Sequence, residues 1–445
     1  MTTAPDTTPA TAVAVVPTAP GRLPLLGHML SLTRDPLGFV RSLAEVGELV
    51  RLELGTMPVY FVTTPELAHA VMVTHGSSFE KGRLFDRVRS MVGDGLATAT
   101  TPVHRRHRRL IQPAFHRTQV AGYCEVIARQ AEELAGSLRP GQEYELTRLL
   151  GEYSISTLAA TMFSGELAAP AVAAVRRDVP VILKYMLVRS VSPKLFDRLP
   201  IPANRRFDRA AAGLRAVIDQ VVAAARADGT TGTDLLSMLL AAQDADTGET
   251  LTDAEVRDEL VTVLFAGTET VATTLGWALH EIARHPEVEQ KLLAEIDEVL
   301  GGGPVTFEDL PRLGYARKVV DEVLRLHAVT MLMRRTVAPV ELAGTVIPVG
   351  TEVAFSLYAV HQHPVHYPDP RRFDPDRDRP REAFFPFGAG ARQCIGDAVA
   401  RAELTVTLVA LLRRWRFHPV AGQEPAEVMA AMPHADRIPM TVTPR

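Results

Sequence analysis

The chain has 445 residues, 47% hydrophobic and 22% charged, which is the balance of a globular protein long enough to bury a large core. Its formal net charge of −4 gives no reason to expect a nucleic acid partner. Two cysteines, Cys124 and Cys394, are too few for a disulfide scaffold or for an iron–sulfur cluster with four thiolates. They fit a reducing compartment such as the cytoplasm.

The first twenty residues are rich in Thr, Ala and Pro, and we predict a flexible tail over residues 1–20. Their apolar run is too short for a secretory signal. The chain also lacks an uninterrupted apolar stretch of about 20 residues, so we expect no membrane anchor. Residues 21–445 contain neither an internal repeat nor a linker-like segment and are predicted to form one domain.

Periodicity predicts a mainly α-helical protein with a minor β region. Apolar residues recur at three- and four-residue intervals in seven segments, which we predict to be helices: 103–115, 119–137, 207–227, 254–284, 286–299, 316–326 and 397–415. Alternating runs predict a β-hairpin at 48–63 and further strands at 340–355. The segment 363–386 is rich in Pro, Asp and Arg and is predicted to be a long loop, a feature that is often functional.

The predicted helix 103–115 begins with the basic run HRRHRR. Such a run alone indicates a solvated or nucleic-acid-binding face. Within it, His104 and Arg108 are four residues apart and therefore share one side of the helix.

An unusual segment, AGTET at 266–270, lies in the middle of the predicted helix 254–284. A glycine inside a helix costs about 1 kcal/mol relative to alanine, so Gly267 requires a reason. Thr270 can donate to a carbonyl one turn back and open the helix locally. Glu269 and Thr270 beside such an opening can hold water and pass protons inward. The alternative is a solvated glutamate and a threonine bonded only to its own helix.

Glu322 and Arg325 lie three residues apart in the predicted helix 316–326, so that they can pair on one face. The pattern is weak evidence by itself, because solvated helical ion pairs are common and contribute little.

Cys394 comes just before the predicted helix 397–415, where unpaired N–H groups and the helix dipole favour a thiolate. Three glycines surround it: Gly388, Gly390 and Gly396. They allow a positive φ or a close approach of the backbone to a flat ligand, and Arg392 can reach an anionic group on that ligand. Taken alone, a single cysteine is more often a small buried hydrophobe.

The run FGAGARQCIG at 387–396 resembles the haem-binding signature of the cytochrome P-450 family. AGTET resembles the distal-helix motif of that family, and Glu322-Val323-Leu324-Arg325 resembles its ExxR pair. The resemblance extends over nearly the whole chain. It implies the cytochrome P-450 fold, with haem b between a long distal helix and the cysteine loop.

The resemblance also implies roles for individual residues. Cys394 is the iron ligand, and Phe387 packs near its sulfur. Ala266 and Gly267 lie where dioxygen binds, and Glu269 with Thr270 delivers protons to it. Gly388 and Gly396 border the haem.

Charged residues take further roles by the same resemblance. The haem propionates meet four cationic side chains: His104, Arg108, Arg334 and Arg392. The neighbouring Arg335 leaves the register at Arg334 open by one residue. A structural, non-catalytic triad comprises Glu322, Arg325 and Arg377. Three arginines are left facing outward for an acidic redox partner: Arg105, Arg106 and Arg109.

A monooxygenase of this family inserts one atom of O2 into a hydrophobic small molecule. By register, we predict that six residues line the substrate pocket: Phe85, Val263, Val329, Met331, Leu332 and Met432. Such an apolar lining suits a hydrocarbon-like ligand, although the same residues could simply be core. Segments such as RDPLGFV and LPIPANRRFD are similar to bacterial enzymes that oxidise cyclised sesquiterpenes. The predicted substrate is therefore a cyclic terpene such as pentalenene, with steroids, fatty acids and macrolides as alternatives.

No flavin, nicotinamide or iron–sulfur module fits in the chain, so the resemblance implies electrons from NAD(P)H through a separate ferredoxin and ferredoxin reductase. Two other classes stay open. A haem-thiolate peroxygenase or isomerase needs no electron partner, and AGTET argues against it because such chemistry has little use for a proton relay. A haem sensor without turnover is the other. Cys124 has no assigned role, and we expect it in the core.

Overall fold

The computed structural model describes residues 16–163, 168–191, 194–229 and 232–445. Helices dominate these ranges, as the sequence predicts. In chain order the α-helices are α1 (Met29–Arg34), α2 (Pro36–Ser42), α3 (Pro65–His69), α4 (Arg83–Val92), α5 (Thr101–Ile111), α6 (Arg117–Ser137), α7 (Leu146–Met162), α8 (Ala168–Val191), α9 (Lys194–Asp197), α10 (Pro202–Ala227), α11 (Leu235–Ala241), α12 (Asp253–Arg284), α13 (Pro286–Leu300), α14 (Gly314–Leu326), α15 (Leu357–Val360) and α16 (Asp397–Leu412).

Short strands form the minor part of the fold. They are β1 (Leu49–Leu54), β2 (Met57–Val62), β3 (Phe79–Lys81), β4 (Glu143–Glu145), β5 (Leu332–Thr336), β6 (Val340–Leu342), β7 (Thr345–Ile347), β8 (Glu352–Phe355), β9 (Trp415–Pro419), β10 (Glu427–Val428), β11 (His434–Ala435) and β12 (Pro439–Pro444). The largest sheet has the order β1-β2-β8-β5-β3, in which β2 and β8 run parallel. The predicted hairpin at 48–63 is confirmed as β1 and β2.

Local sequence signals account for where several helices begin and end. At the start of α12, Thr252 and Glu255 form a capping box, each side chain bonding the other's backbone N–H. The α-helical part of the predicted helix 103–115 ends at Ile111 and continues as a 3₁₀ turn, whose second residue, Pro113, has no N–H to donate. The predicted helix 397–415 is too long, because the chain leaves α16 to enter β9.

The end of the predicted tail is ordered. The Ala19 N–H donates to Arg51 O at 3.0 Å, and Ala19 is buried against the sheet. The boundary predicted at residue 20 is therefore wrong by at least five residues, because backbone pairing with β1 fixes this part of the chain. Residues 1–15 lie outside the described residues.

The longest helix, α12, passes through the centre of the molecule. One apolar cluster joins it to α6, α13, α14 and α16, and a second joins it to α8, α10 and α11. By length and composition α12 could cross a membrane, but 61% of its most apolar window is buried within the protein. Core packing therefore accounts for its apolar character. The segment 363–386, predicted to be a loop, contains turns but neither helix nor strand.

Candidate functional site

The loop before α16 is shaped by backbone contacts with distant parts of the chain. The Cys394 N–H donates to Phe387 O at 2.9 Å, which closes the loop on itself. Gly390 has a φ of +70°, and a Cβ there would overlap Met72 O. Gly388 also has a positive φ, but Gly396 has a φ of −87° and serves as the N-cap of α16. Gly388 and Gly390 therefore have the positive φ that the sequence predicts, whereas Gly396 does not.

The Cys394 thiol is exposed, although the surrounding protein partly desolvates it. Burial raises the pKa of Cys394, while the Gly396 N–H and Arg108 act in the opposite direction. The N–H at the start of α16 lowers the pKa of Cys394, as the sequence predicts, but desolvation raises this pKa by more. Cys124, in contrast, is buried in the core as expected.

Four basic side chains, which we call the cation cluster, lie near one another at the cysteine loop: Lys81, His104, Arg334 and Arg392. Burial and the nearby Arg392 hold the pKa of His104 at about 3 and that of Arg334 at about 10. The pKa of Lys81 is lowered well below its usual value by burial and by Arg334 and Arg392. Among the described residues, no carboxylate lies within ion-pair distance of any of the four.

With a pKa of about 3, His104 is neutral near pH 7 and offers only an N–H to an acceptor. The remaining cations repel one another and have no anionic partner, which is costly unless an anion meets them. This cluster, together with an exposed thiol on the neighbouring loop, is the donor set that a haem with two carboxylates requires. The residues present therefore fit the cofactor that the resemblance implies. Lys81 was missed from the sequence.

The basic helix α5 is more engaged than predicted. Arg108 Nη1 donates to Gln393 O at 2.7 Å, so Arg108 supports the cysteine loop through its backbone. Arg106 pairs with Glu249 and Glu255, and Arg109 pairs with Asp244. The prediction that both face outward for a partner is therefore wrong for Arg106, which is partly buried between two carboxylates. Arg109 is exposed as predicted, although it pairs with Asp244. Arg105 alone of the three is exposed without an ion pair in the described part of the chain.

The register at β5 is resolved. Arg335 pairs with Asp86 and Glu352, each at 2.8 Å. Arg334 is buried next to it and donates to Met333 O at 3.0 Å. Arg334, and not Arg335, is thus the residue that joins the cation cluster.

The glycine of the AGTET segment has a packing reason. A Cβ on Gly267 would lie 2.9 Å from Leu158 Cδ2, so the missing side chain lets α7 approach α12. The implied role of making room for dioxygen stays a prediction. Ala266 is exposed. The helix runs from Asp253 to Arg284 without interruption, so the predicted local opening is wrong.

The acid and the alcohol of the segment behave differently. Thr270 Oγ1 donates to Ala266 O at 2.7 Å, the predicted bond to the previous turn. Glu269 lines a large cavity, and burial raises its pKa. A raised pKa favours the protonated acid, which is able to donate a proton.

The ExxR pair is fully buried and larger than predicted. Arg325 donates to both oxygens of Glu322 at 2.9 and 2.8 Å. Arg377 donates to the same carboxylate at 3.4 Å, the contact that the triad predicts. A further arginine, Arg379, donates to it at 3.2 Å and was missed from the sequence.

A cavity of about 2620 Å³ lies beside α12 and opens to the surface. Four of the predicted pocket residues line it: Phe85, Val329, Met331 and Leu332. Val263 and Met432 do not; both pack into apolar clusters on other sides of their segments. The neighbours Met429 and Ala430 line the cavity in place of Met432.

Comparisons with known proteins agree with this geometry. A family model for cytochrome P-450 matches residues 17–437. The cyclooctat-9-en-7-ol 5-monooxygenase of Streptomyces melanosporofaciens is 39% identical over 96% of this chain and 95% of its own length. The pentalenene oxygenase of Streptomyces avermitilis is 38% identical over 97% and 98%. A solved cytochrome P-450 haem domain superposes with a TM-score of 0.86 at 25% identity, covering 97% of this chain and 98% of that one.

Proposed function

Because the chain belongs to the cytochrome P-450 family of haem-binding monooxygenases, we propose that it inserts one oxygen atom from O2 into a cyclic terpene, in the manner of a secondary-metabolism enzyme. The observation that carries the substrate class is the pair of terpene-oxidising relatives at 38–39% identity over nearly the whole chain. The apolar wall formed by Val329, Met331 and Leu332 agrees with it. Cyclic sesquiterpenes such as pentalenene are our first candidates.

The haem supplies the activation of dioxygen when it is bound. In our proposal the Cys394 thiolate holds its iron, and Phe387, Gly388 and Gly396 border it. The propionates pair with the cation cluster, and Arg108 keeps the cysteine loop in place through its bond to Gln393 O.

Protons reach the site from α12. Glu269, whose pKa is raised by burial, would hold a proton at the edge of the cavity. The Thr270 hydroxyl, one residue further along the helix, would relay that proton toward the haem site by giving up its bond to Ala266 O. Electrons come from NAD(P)H through a ferredoxin and its reductase in the cytoplasm. The predicted domain of residues 21–445 acts as a single unit together with residues 16–20, which pair with its sheet.

A spectral titration of the ferric holoprotein tests the substrate class. Cyclic sesquiterpenes should shift the Soret band from its low-spin to its high-spin position, whereas steroids, fatty acids and a macrolide should not. A shift with one of these other classes alone would replace the terpene. Turnover supported by peroxide and not by a reductase would instead indicate a peroxygenase, and the absence of product under both conditions would indicate a sensor.

Replacing Lys81 with glutamine should weaken haem retention. In our proposal the Lys81 ammonium meets a propionate, and its removal deletes one charge-assisted contact, which is worth about a tenfold change in dissociation rate. Transfer of haem to apomyoglobin measures this rate without any turnover. Arg105→Gln on the exposed side of α5 is the control and should release haem at the wild-type rate. Equal rates for both variants would remove Lys81 from the haem site.

Replacing Thr270 with alanine should leave haem binding intact and divert reducing equivalents to peroxide or water. The hydroxyl bonds only to its own helix in the described structure, so its loss should not disturb the fold. The ratio of product formed to NAD(P)H consumed measures the effect, and we expect it to fall several-fold. Thr274→Ala removes a similar bond one turn later and serves as the control. An unchanged ratio in the Thr270 variant would exclude it from the proton path.

A further inference from the structure

A buried histidine joins α5 to the start of α12. The His107 ring is 1% exposed, its Nδ1 lies 2.7 Å from Glu259 Oε1, and its Nε2 lies 3.2 Å from Glu255 Oε1. Glu259 is as buried as the ring, whereas the side chain of Glu255 is 28% exposed. The ring therefore bridges a carboxylate in contact with solvent and a carboxylate in the interior.

The charges around this bridge favour the binding of a proton. Although burial opposes them, hydrogen bonds to Glu259 and Glu255 raise the pKa of His107. Burial raises the pKa of Glu259. Although burial acts the other way, bonds from the Thr252 N–H and from Arg106 hold the pKa of Glu255 at about 2, so this outer carboxylate attracts protons without keeping them. An imidazole with a carboxylate on each nitrogen can accept a proton on one side and release another on the opposite side.

Glu259 begins a line of residues that leads along α12 to Thr270. Thr262 follows Glu259 by three residues, and Ala266 and Thr270 follow at intervals of four, spacings that keep all of them on one face of the helix. Glu259 and Thr270 are about 16 Å apart along the axis, so a proton needs intermediate groups to pass between them. Ala266 is exposed, and solvent can therefore reach the helix surface between the two threonines.

Thr262 differs from three other threonines of α12. Thr268, Thr270 and Thr274 each donate to the carbonyl four residues before them, at 2.7–2.8 Å. Thr262 Oγ1 is buried and has no hydrogen-bond partner among the residues that the structure describes. A Cβ on Gly95 would overlap this hydroxyl, so the glycine leaves it room. A buried hydroxyl requires a partner, and a bound water can provide one.

We propose that His107 and Glu259 form a proton entry path to Thr270, separate from the acid at the open cavity. A proton from solvent reaches His107 Nε2 across the Glu255 carboxylate, and the ring releases its Nδ1 proton to Glu259. Glu259 then passes a proton through water at Thr262 toward Thr270. Each transfer breaks one N–H or O–H bond and forms another, so one proton enters for each proton delivered.

The entry path and Glu269 are placed differently with respect to the cavity. Glu269 lines the open cavity, whereas His107 and Glu259 do not. An apolar substrate that fills the cavity excludes water from Glu269, but the entry path reaches solvent between α5 and α12 and stays connected. The inference rests on the proposed function, because Thr270 must be the group that receives the protons.

Replacing Glu259 with glutamine in the holoenzyme tests the path. Glutamine still bonds His107 but carries no transferable proton. Product formation supported by a reductase should fall about tenfold, less than the roughly 10²–10⁴-fold effect of losing a sole proton donor, because Glu269 remains. Peroxide brings its own protons, so product formation supported by peroxide should stay near the wild-type rate.

Two further variants make this test specific. Glu281→Gln is the matched control, because Glu281 lies later in α12, is 18% exposed and has His285 Nδ1 at 3.6 Å. It should keep both activities. The double variant His107→Gln, Glu259→Gln leaves no charge of the bridge unpaired, and it carries the test if the single variant does not fold around haem. The ferric spectrum of each variant reports that folding.

The titration of the His107 ring tests the bridge without turnover. In the diamagnetic reduced carbonyl form, the ring nitrogen shifts of labelled histidine follow its protonation, and the His107→Gln variant identifies the signals. His107 should keep its proton to a higher pH than a free imidazole, and Glu259→Gln should lower that pH. A His107 ring that titrates in the ordinary range or below it would overturn the proposal.

Two outcomes of the turnover test would also overturn it. Equal losses with reductase and with peroxide would show that Glu259 serves the fold alone, and wild-type product formation in the single and double variants would show that no proton passes this way. The Thr270→Ala variant separates this inference from the proposed function. If Thr270→Ala lowers the ratio of product to NAD(P)H and the Glu259 variants do not, the entry path alone is wrong; if neither does, the role of Thr270 is wrong.

Discussion

Replacing Cys394 with serine should abolish thiolate ligation of the haem and reduce turnover below detection. Serine offers a hydroxyl that does not ionise at neutral pH and is a poor ligand for the site that a thiolate occupies. The reduced carbonyl complex should lose its thiolate-type Soret band. The fold should persist, because the Cys394 side chain is exposed and its backbone bond to Phe387 is retained.

The second cysteine provides the control for this experiment. Cys124 is 2% exposed and packs in the core around α6, and burial raises its pKa to about 12. Cys124→Ser should cost about 1–3 kcal/mol of stability by burying a hydroxyl without an assured partner. The haem protein recovered from this variant should have the same spectrum as the wild type. A thiolate-type band in the Cys394 variant would contradict our assignment of the iron ligand.

Replacing Glu322 with glutamine should cause the largest loss of stability of any single change considered. The carboxylate is fully buried and accepts bonds from Arg325, Arg377 and Arg379. Removing one partner of a buried charge pair typically costs 3–5 kcal/mol, because the remaining charge is left uncompensated. Here three guanidinium groups lose their anion. We expect little soluble protein, and a much lower unfolding midpoint in urea for any that is recovered.

Asp376 is the matched comparison in the same region. Its carboxylate pairs with Lys291 at 2.7 Å and Lys318 at 3.1 Å, but both pairs are solvent-exposed. Exposed pairs contribute about 0–1 kcal/mol, so Asp376→Asn should unfold close to the wild-type midpoint. If the Glu322 and Asp376 variants unfolded at the same urea concentration, the buried cluster would not stabilise the loop as we argue.

Helices and strands could be predicted from the sequence where neighbouring residues carry the signal. The start of α12 follows from the Thr252–Glu255 capping box, and its predicted start at residue 254 is off by one. In contrast, α7 was not predicted, because it buries Ser154 and Thr157 as well as apolar residues and so shows no clear amphipathic period. The helix α8 was not predicted either, and it contains Pro180, a residue that usually ends or bends a helix.

The residues of the site also divide into those that a local motif predicts and those that only the folded structure brings together. The cysteine loop could be predicted because its motif lies within ten residues. Lys81 enters the cation cluster through pairing of β3 with β5, where it lies opposite Arg334, and no local pattern reports such a register. Arg379 lies two residues after Arg377 in an irregular loop, where side-chain direction does not follow from sequence spacing.

The long-range hydrogen bonds that hold the cysteine loop determine when haem can bind during synthesis of the chain. Arg392 donates to Ala99 O across 293 residues of chain, and Arg108 donates to Gln393 O across 285. At about 5–20 residues per second, α5 emerges about 15–60 s before the loop that completes the pocket. During that interval the cationic side chains of the first half have neither the loop nor the cofactor against them. Haem capture is therefore a late, essentially post-translational step, and chains terminated before residue 394 should accumulate without cofactor however much haem the cell supplies.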